Sequence, residues 1–151
     1  MTFTRIARGR PYEIMAIIKE KKIKITSIIE NADTPGEEIS ETNSNGFLKI
    51  SDTHSTIEYV EEGEGGKTAT EITVEEGKIT VKKRGAVNSD MCFSEGLLHK
   101  SVYGVPPFSF DTTVKTRKIR SSLTKEGGKI DIYYDMSIGG ADKKVKLRIE
   151  L

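Results

Sequence analysis

The stretch EGGKIDIYYDMSIGG, residues 126 to 140, alternates apolar and polar side chains between two pairs of glycines. A period of two is typical of a β-strand, in which neighbouring side chains point to opposite faces. The stretch therefore predicts a strand that buries one face and leaves the other for water, a ligand or a partner. The predicted buried face carries Ile130, Ile132, Tyr134, Met136 and Ile138, and the opposite face carries Lys129, Asp131, Tyr133, Asp135 and Ser137.

Similar alternating segments recur from residue 22 to the C-terminus, separated by glycine, proline, asparagine and aspartate. The last segment, KKVKLRIEL, repeats the pattern of the first, KIKITSIIE. Short strands at regular spacing are typical of a sandwich or a barrel. Closing a long meander removes its exposed edges. We therefore expect an all-β fold, a single antiparallel and mostly up-and-down β-barrel of about 8 to 10 strands.

The N-terminal part of the chain departs from this pattern. PYEIMAIIKEKK, residues 11 to 22, has an apolar face at helical spacing behind Pro11 and predicts a short helix. Met15 begins a stretch that leads directly into the first strand. We therefore expect residues 1 to 14 to be an extension from an upstream start codon, and residues 15 to 151 to form a single β-barrel domain.

The composition limits the class of protein. A chain of 151 residues can bury roughly two-thirds of the surface of its unfolded form, so a real core is expected. No apolar run approaches the roughly 20 residues of a membrane-spanning helix, so we expect no membrane partner and a cytoplasmic location. Cys92 is the only cysteine, which rules out an internal disulfide and fits a reducing compartment.

The formal net charge of +1 hides a strong segregation along the chain. Residues 1 to 29 have a net charge of +5, residues 30 to 76 of −11, and residues 77 to 151 of +7. Strands that are distant in sequence can pair, so mutual neutralisation across a sheet is the first expectation. A basic surface for nucleic acid, or an acidic surface for another partner, is the alternative.

Three motifs follow one another in a recognisable order. They are GKITVKKRGAV at 77–87, MCFSEGLLHKSVYGVPPFSFDTTVKTRKI at 91–119 and GGKIDIYYDMSI at 127–138. This succession resembles the YwiB-like family of small uncharacterised bacterial proteins, over roughly residues 22 to 151. The resemblance implies a calycin-like, lipocalin-like β-barrel and no known activity. The first 14 residues lie outside it, and the double proline of YGVPPF departs from its pattern.

The residues that could carry catalysis do not form a site in the sequence. Asp131 and Asp135 would lie about 13 Å apart along one strand, beyond the roughly 5 to 9.5 Å between the paired carboxylates of glycoside hydrolases. We expect one of them to form a solvated ion pair with a neighbouring strand, such as the face that carries Lys146 or Arg148. Neither of the two histidines has metal-ligand spacing. We therefore expect no enzyme, no metal and no cofactor.

Two functions remain as hypotheses. The first is non-enzymatic binding of a small apolar or amphipathic ligand, because a barrel of ten strands has room for a cavity. The second is an interaction surface for RNA or an acidic partner; nucleic acid is the weaker alternative, because the phenylalanines fall on the face opposite the basic side chains. A monomer and a homodimer both fit the sequence. The predicted cavity residues are Phe93, His99, Tyr103, Phe110, Ile130, Ile132, Tyr134 and Met136, and the predicted basic surface consists of Lys82, Arg84, Lys115 and Arg117.

Overall fold

Eleven β-strands account for most of the chain that the structure describes. This computed structural model describes the backbone of residues 2–7 and 14–151, and the side chains from residue 17 onward. No helix occurs in these residues. The strands are β1 (Thr2–Ala7), β2 (Ile14–Asn31), β3 (Glu37–Ile50), β4 (Ser55–Gly63), β5 (Gly66–Glu75), β6 (Lys78–Gly85), β7 (Ser89–Phe93), β8 (Leu98–Val105), β9 (Phe108–Ser121), β10 (Lys129–Ile138) and β11 (Ala141–Glu150).

Strands β2 to β11 form one antiparallel meander that returns to its start. Each strand pairs with the next one from β2 to β7 and from β8 to β11. The first and last strands of the meander, β2 and β11, pair with each other over eight residues each, which closes the sheet on one side. The result is a nearly closed, up-and-down barrel of ten strands, as the sequence predicted. Strand β1 lies outside this closed order, and its one partner among the described strands is β2.

Closure is incomplete between β7 and β8. The alternating segments DMCFSEG and LLHKSVY, residues 90–96 and 97–103, predict a hairpin pair here. Among the described residues only Asn88 and Gly104 form a bridge, in which each backbone N–H donates to the other residue's carbonyl oxygen at 2.8 Å. From there towards the connecting loop the two strands form no ladder in the part of the chain that is described. We call this unpaired contact between Ser89–Phe93 and Leu98–Tyr103 the β7–β8 seam.

The predicted helix over residues 11 to 22 is wrong where the structure describes it. β2 begins at Ile14 and continues without interruption to Asn31, and residues 11–13 lie outside the described residues. The segment is rich in isoleucine, which fits a strand, and residues 17–19 are paired on both sides, to β1 and to β3. Pairing on two edges outweighs a weak helical spacing. The predicted boundary at residue 15 stays a prediction.

The packed core fills one end of the barrel. Alternate residues of each strand point inward, and β10 buries Ile130 and Ile132 completely, as the opening stretch predicted. Burying an isoleucine side chain contributes roughly 1.5 to 3 kcal/mol, so these positions supply much of the driving force for folding. The buried apolar residues are Ile23, Leu48, Ile57, Tyr59, Ile72, Ile79, Val81, Phe93, Val114, Ile130, Ile132, Tyr134, Val145 and Ile149.

Gly46 marks the point where β3 and β4 part. Their ladder ends with Gly46 opposite Tyr59, although both strands continue beyond it. A Cβ atom on Gly46 would overlap the carbonyl oxygen of Glu58 and lie 2.6 Å from Cδ1 of Ile23. The sequence indicates a bulge or a bend at this glycine; the structure shows a close backbone approach at the end of a ladder.

The segregated charges are neutralised only in part. Lys24 of β2 lies 3.7 Å from Glu41 of β3, and Lys82 of β6 stands opposite Glu71 of β5. These contacts join the acidic block of the sequence to the basic blocks on either side. Strands β9 and β10 have no acidic-block strand as a ladder neighbour, and β11 meets the acidic block at one charged position, where Lys144 stands opposite Glu30 at the end of β2. The other cations of these three strands lie beside one another and beside a few carboxylates of their own block.

Candidate ligand cavity

A cavity of about 450 Å³ lies in the barrel interior, towards the end that carries the β2–β3, β4–β5, β6–β7, β8–β9 and β10–β11 hairpins. It begins where the packed core ends. Its walls are mainly apolar, and charged and hydroxyl-bearing side chains occupy the positions nearest the hairpins. Its deeper walls include Ile25, Ile72, Val81, Met91, Phe93 and Leu147, and its mouth includes Ser40, Glu61, Lys83, Tyr103, Ile138 and Lys143.

Two aromatic rings separate the cavity from the core. The ring centroids of Phe93 on β7 and Tyr134 on β10 lie 4.8 Å apart, with their planes inclined by 51°. This tilted arrangement is favourable for aromatic pairs. Burial raises the pKa of Tyr134 above the ordinary tyrosine value, so its hydroxyl stays protonated at neutral pH. The pair thus gives the cavity a largely apolar floor.

An ion pair occupies one side of the mouth. Nζ of Lys83 on β6 lies 3.7 Å from Oε1 of Glu61 on β4, and both side chains are about three-quarters buried, with 29% and 26% exposed. Two tyrosines adjoin this carboxylate. Burial, and next the charge of Glu61, raises the pKa of Tyr59 and of Tyr103. Both phenols therefore remain neutral hydrogen-bond donors at physiological pH.

Lys143 occupies the other side of the mouth. It lies on β11 between Met136 of β10 and Asn31 of β2, and it lines the cavity. β11 and β6 are five strands apart in the ten-strand order, so Lys143 and Lys83 come from opposite walls of the barrel. Lys143 forms no salt bridge with any side chain that the structure describes.

The structure brings some of the predicted cavity residues together and separates others. Phe93, Tyr103, Tyr134 and Met136 line the cavity. Ile130 and Ile132 are fully buried in the core beneath it. Phe110 is 41% exposed, next to the β10–β11 hairpin. His99 stands opposite Val114 on the β8–β9 ladder, and its buried Nδ1 atom has no hydrogen-bond partner among the described residues.

The three charged residues of the mouth were not predicted from the sequence. The signal was present, because Lys83 follows Ile79 and Val81 in steps of two, and Lys143 precedes Val145 in the same way. Such spacing assigns both lysines to the inward face. Charged side chains are rarely buried, so alternation alone did not predict that these lysines line a cavity.

The predicted basic surface is divided on the outside of the barrel. Lys82 and Arg84 lie on β6, whereas Lys115 and Arg117 lie on β9, with β7 and β8 between them. Arg84 donates two hydrogen bonds to the carboxylate of Asp90, at 2.8 and 3.1 Å. Nε of Arg117 lies 3.3 Å from Oδ1 of Asp135.

The outer face of β10 carries the expected cross-strand ion pair. Arg148 of β11 donates two hydrogen bonds to Asp131, at 2.7 and 3.0 Å, and Asp131 is only 6% exposed. These hydrogen bonds lower the pKa of the Asp131 carboxyl group. Next to this pair, Tyr133 stands between Lys118 of β9 and Lys146 of β11, and Nζ of Lys146 lies 5.3 Å from the centre of its ring.

Other chemistry is sparse in the part of the chain that is described. It contains no group of three His, Cys, Asp or Glu residues that could hold a metal ion. Within the same residues, no helix has the length and apolar character needed to span a membrane. His54 lies exposed in the β3–β4 turn, where Ser51 and Thr53 lie within hydrogen-bond distance of its Nδ1 atom.

These features define the class of the protein: a nearly closed up-and-down β-barrel of ten antiparallel strands, with a packed end and a cavity at the other end. Residues 23–151 match the family model described as a domain of unknown function, DUF1934. The chain belongs to this family.

Two comparisons connect the family to a named protein. The chain is 31% identical over 117 residues to the uncharacterized β-barrel protein YwiB of Bacillus subtilis (strain 168), which covers 78% of this chain and 81% of the relative. The crystal structure of the ywiB protein from Bacillus subtilis matches with a TM-score of 0.77 at 27% identity, over 88% of this chain and 92% of that one. The predicted family and barrel fold are thus confirmed, whereas the kinship with calycins and lipocalins stays a prediction.

Proposed function

We propose that this protein binds a small amphipathic ligand in the open end of its barrel and catalyses no reaction on it. The observation that supports the proposal is the interior cavity of about 450 Å³. Ligand sites in proteins are typically concave, mostly apolar and about 300 to 1,000 Å³ in volume, with a few polar groups that fix orientation. The cavity has each of these properties.

The distribution of side chains favours one orientation of the ligand. Met91, Met136 and Leu147 form walls that can adapt to an irregular apolar body, because methionine is flexible and polarizable. Charged groups and the Tyr103 hydroxyl lie near the hairpins. A ligand would therefore place its apolar part next to Phe93 and its polar part at the mouth.

The chemistry at the mouth favours binding over catalysis. The carboxylate of Glu61 is paired with Lys83, and the raised pKa values of the neighbouring tyrosines keep both phenols protonated at neutral pH, so neither can accept a proton as a general base. Cys92 alternates with Met91 and Phe93 on β7 and is not among the residues that line the cavity. The cavity therefore has no paired nucleophile and base among the described residues.

A neutral fluorescent probe tests the proposal. N-phenyl-1-naphthylamine becomes brightly fluorescent in apolar surroundings, so its emission reports entry into the cavity. One probe molecule should bind per chain. Met91→Trp, which fills the cavity, should abolish this binding, and Val102→Trp, at an exposed outward position, should leave it unchanged.

The urea midpoint of each variant shows whether it is folded. Probe binding that is equally strong in folded Met91→Trp would contradict the proposal, because the probe would then bind elsewhere. Native mass spectrometry of the protein purified from a rich lysate would then identify a copurifying ligand.

A second candidate function is supported by the outer surface. Tyr133 lies between Lys118 and Lys146, and this combination of an aromatic ring with flanking cations suits single-stranded nucleic acid, in which bases stack on aromatic rings. The phenylalanines lie on the opposite face of their strand from the basic side chains, whereas Tyr133 lies on the same face of β10 as its cationic neighbours.

Salt dependence distinguishes this second candidate. Binding of a fluorescent oligouridylate should weaken steeply with salt and be lost in the double variant Lys118→Glu with Lys146→Glu. Lys78→Glu, at an exposed position at the start of β6, is the matched control. Binding that survives in the double variant would rule out this surface.

A further inference from the structure

The charges at the cavity mouth do not balance. Glu61, Lys83 and Lys143 are the ionisable acidic and basic side chains among the residues that line the cavity. Glu61 lies beside Lys83, so these two charges offset each other. Lys143, on the opposite wall, has no carboxylate partner among the described side chains. The mouth therefore has an excess of one positive charge, located on the β11 wall.

The surroundings of Lys143 favour a ligand group over a structural role. Its nearest ladder neighbours on the two flanking strands are Met136 and Asn31, and neither can neutralise an ammonium group. Three carboxylates line a neighbouring surface pocket together with Lys143, and none of them is within salt-bridge distance of it: Glu30, Asp135 and Asp142. On the exterior of the same barrel, Arg148 and Arg84 each have an aspartate partner. A partly enclosed cation gains from an anionic partner, because charge-assisted hydrogen bonds are about twice as strong as neutral ones.

We propose that the ligand is an amphipathic anion whose head group binds Lys143. This inference rests on the proposed function and adds the charge and orientation of the ligand. The apolar body extends past Met136 towards Phe93, and the anionic head stays on the side of the mouth away from Glu61, which would repel it. Lys83 makes a smaller contribution, because its charge is already offset by Glu61.

The experiment compares two probes that share one alkyl chain, one with an anionic head group and one with a neutral head group. Dodecanoate and its neutral methyl ester are each used to displace N-phenyl-1-naphthylamine from the wild-type chain. Dodecanoate should bind about tenfold more tightly, as expected for one charge-assisted contact in a partly buried site. In Lys143→Gln this preference should disappear. Lys143→Arg should retain it, and Lys144→Gln, at the adjacent outward position of β11, should match the wild type.

The outcomes separate this inference from the proposed function. If both probes displace the dye with equal affinity from the wild type, the protein binds ligands in its barrel and the inference about charge is wrong. A preference for dodecanoate that persists in Lys143→Gln also overturns it, since another group would then hold the head. If neither the dye nor either probe binds, both proposals fail. The urea midpoint of Lys143→Gln confirms that the variant is folded.

Discussion

Among individual residues, Asp131 shows how an outward-facing carboxylate becomes part of the folded structure. Its two hydrogen bonds from Arg148 hold the pKa of Asp131 below the ordinary value of about 3.9. A carboxyl group with a lowered pKa in the folded state stabilises that state above the unfolded pKa, and the contribution is lost as the pH falls through the folded pKa.

Asp131→Asn should therefore lower the urea midpoint at pH 7, and the difference from the wild type should shrink below about pH 4. Asp135→Asn is the control, because its pair with Arg117 is nearly half exposed and should change stability by less than about 1 kcal/mol. A difference in urea midpoint between the wild type and Asp131→Asn that stays constant down to pH 3 would contradict this account.

The sequence predicted the burial of single residues well where strand alternation determines it, and poorly where the packing of side chains determines it. Ile130 and Ile132 are buried because they lie in phase with the strand. Alternation could not show that the interior above them stays open, since this depends on how far side chains from opposite strands reach. The mouth residues Lys83 and Lys143 were in phase too, but only the structure shows that they come from opposite walls.

At the level of strands, the close contact between β3 and β4 depends on the absence of a side chain at Gly46. Gly46→Ala would push a methyl group against the Glu58 carbonyl and Ile23 and should cost about 1 to 3 kcal/mol, as overpacking of a filled core does. Gly63→Ala is the matched control at the end of β4, where a Cβ atom would have no neighbour within 4 Å. The two urea midpoints measure the difference. Equal effects of both substitutions on the urea midpoint would show that the close approach at Gly46 does not limit the stability of the protein.

The N-terminal strand β1 should be dispensable for closure. Its one partner among the described strands is β2, it lies outside the closed order of the ten-strand barrel, and the family match begins at residue 23. A chain that starts at Met15 keeps residues 17–31 paired to β3 and β11, so we expect it to unfold cooperatively in urea. Removing residues 146–151, which belong to the closing pair, should abolish cooperative folding. Loss of cooperativity in the Met15 chain would contradict this prediction.

For the whole molecule, the sequence predicted closure but not where closure would be weakest. Ten alternating strands imply a barrel because an open sheet would expose two edges. The adjacent segments around Met91 and Ser101 carry the same alternation as every other predicted hairpin. The missing ladder between them is a feature of the assembled barrel that the local pattern does not contain.

The β7–β8 seam should accordingly be the part of the barrel that opens first. Along an antiparallel strand, every second backbone N–H group points to the same side. The N–H groups of Lys100, Val102 and Gly104 therefore all point to β7. Among these three, only Gly104 has a backbone hydrogen-bond partner there. We expect Lys100 and Val102 to exchange their amide hydrogens about 100-fold faster than Ser101 and Tyr103, which face the paired strand β9.

Amide exchange followed by NMR provides both the measurement and its internal control, since the fast and slow positions alternate along one strand. The residues of β2 that pair with β11 should exchange most slowly, because opening them breaks the closure of the barrel. Uniformly slow exchange from residue 99 to residue 103 would show that the seam is paired in solution. It would also mean that the barrel wall is closed by hydrogen bonds around its whole circumference, whereas fast exchange at the seam identifies the gap in that closure.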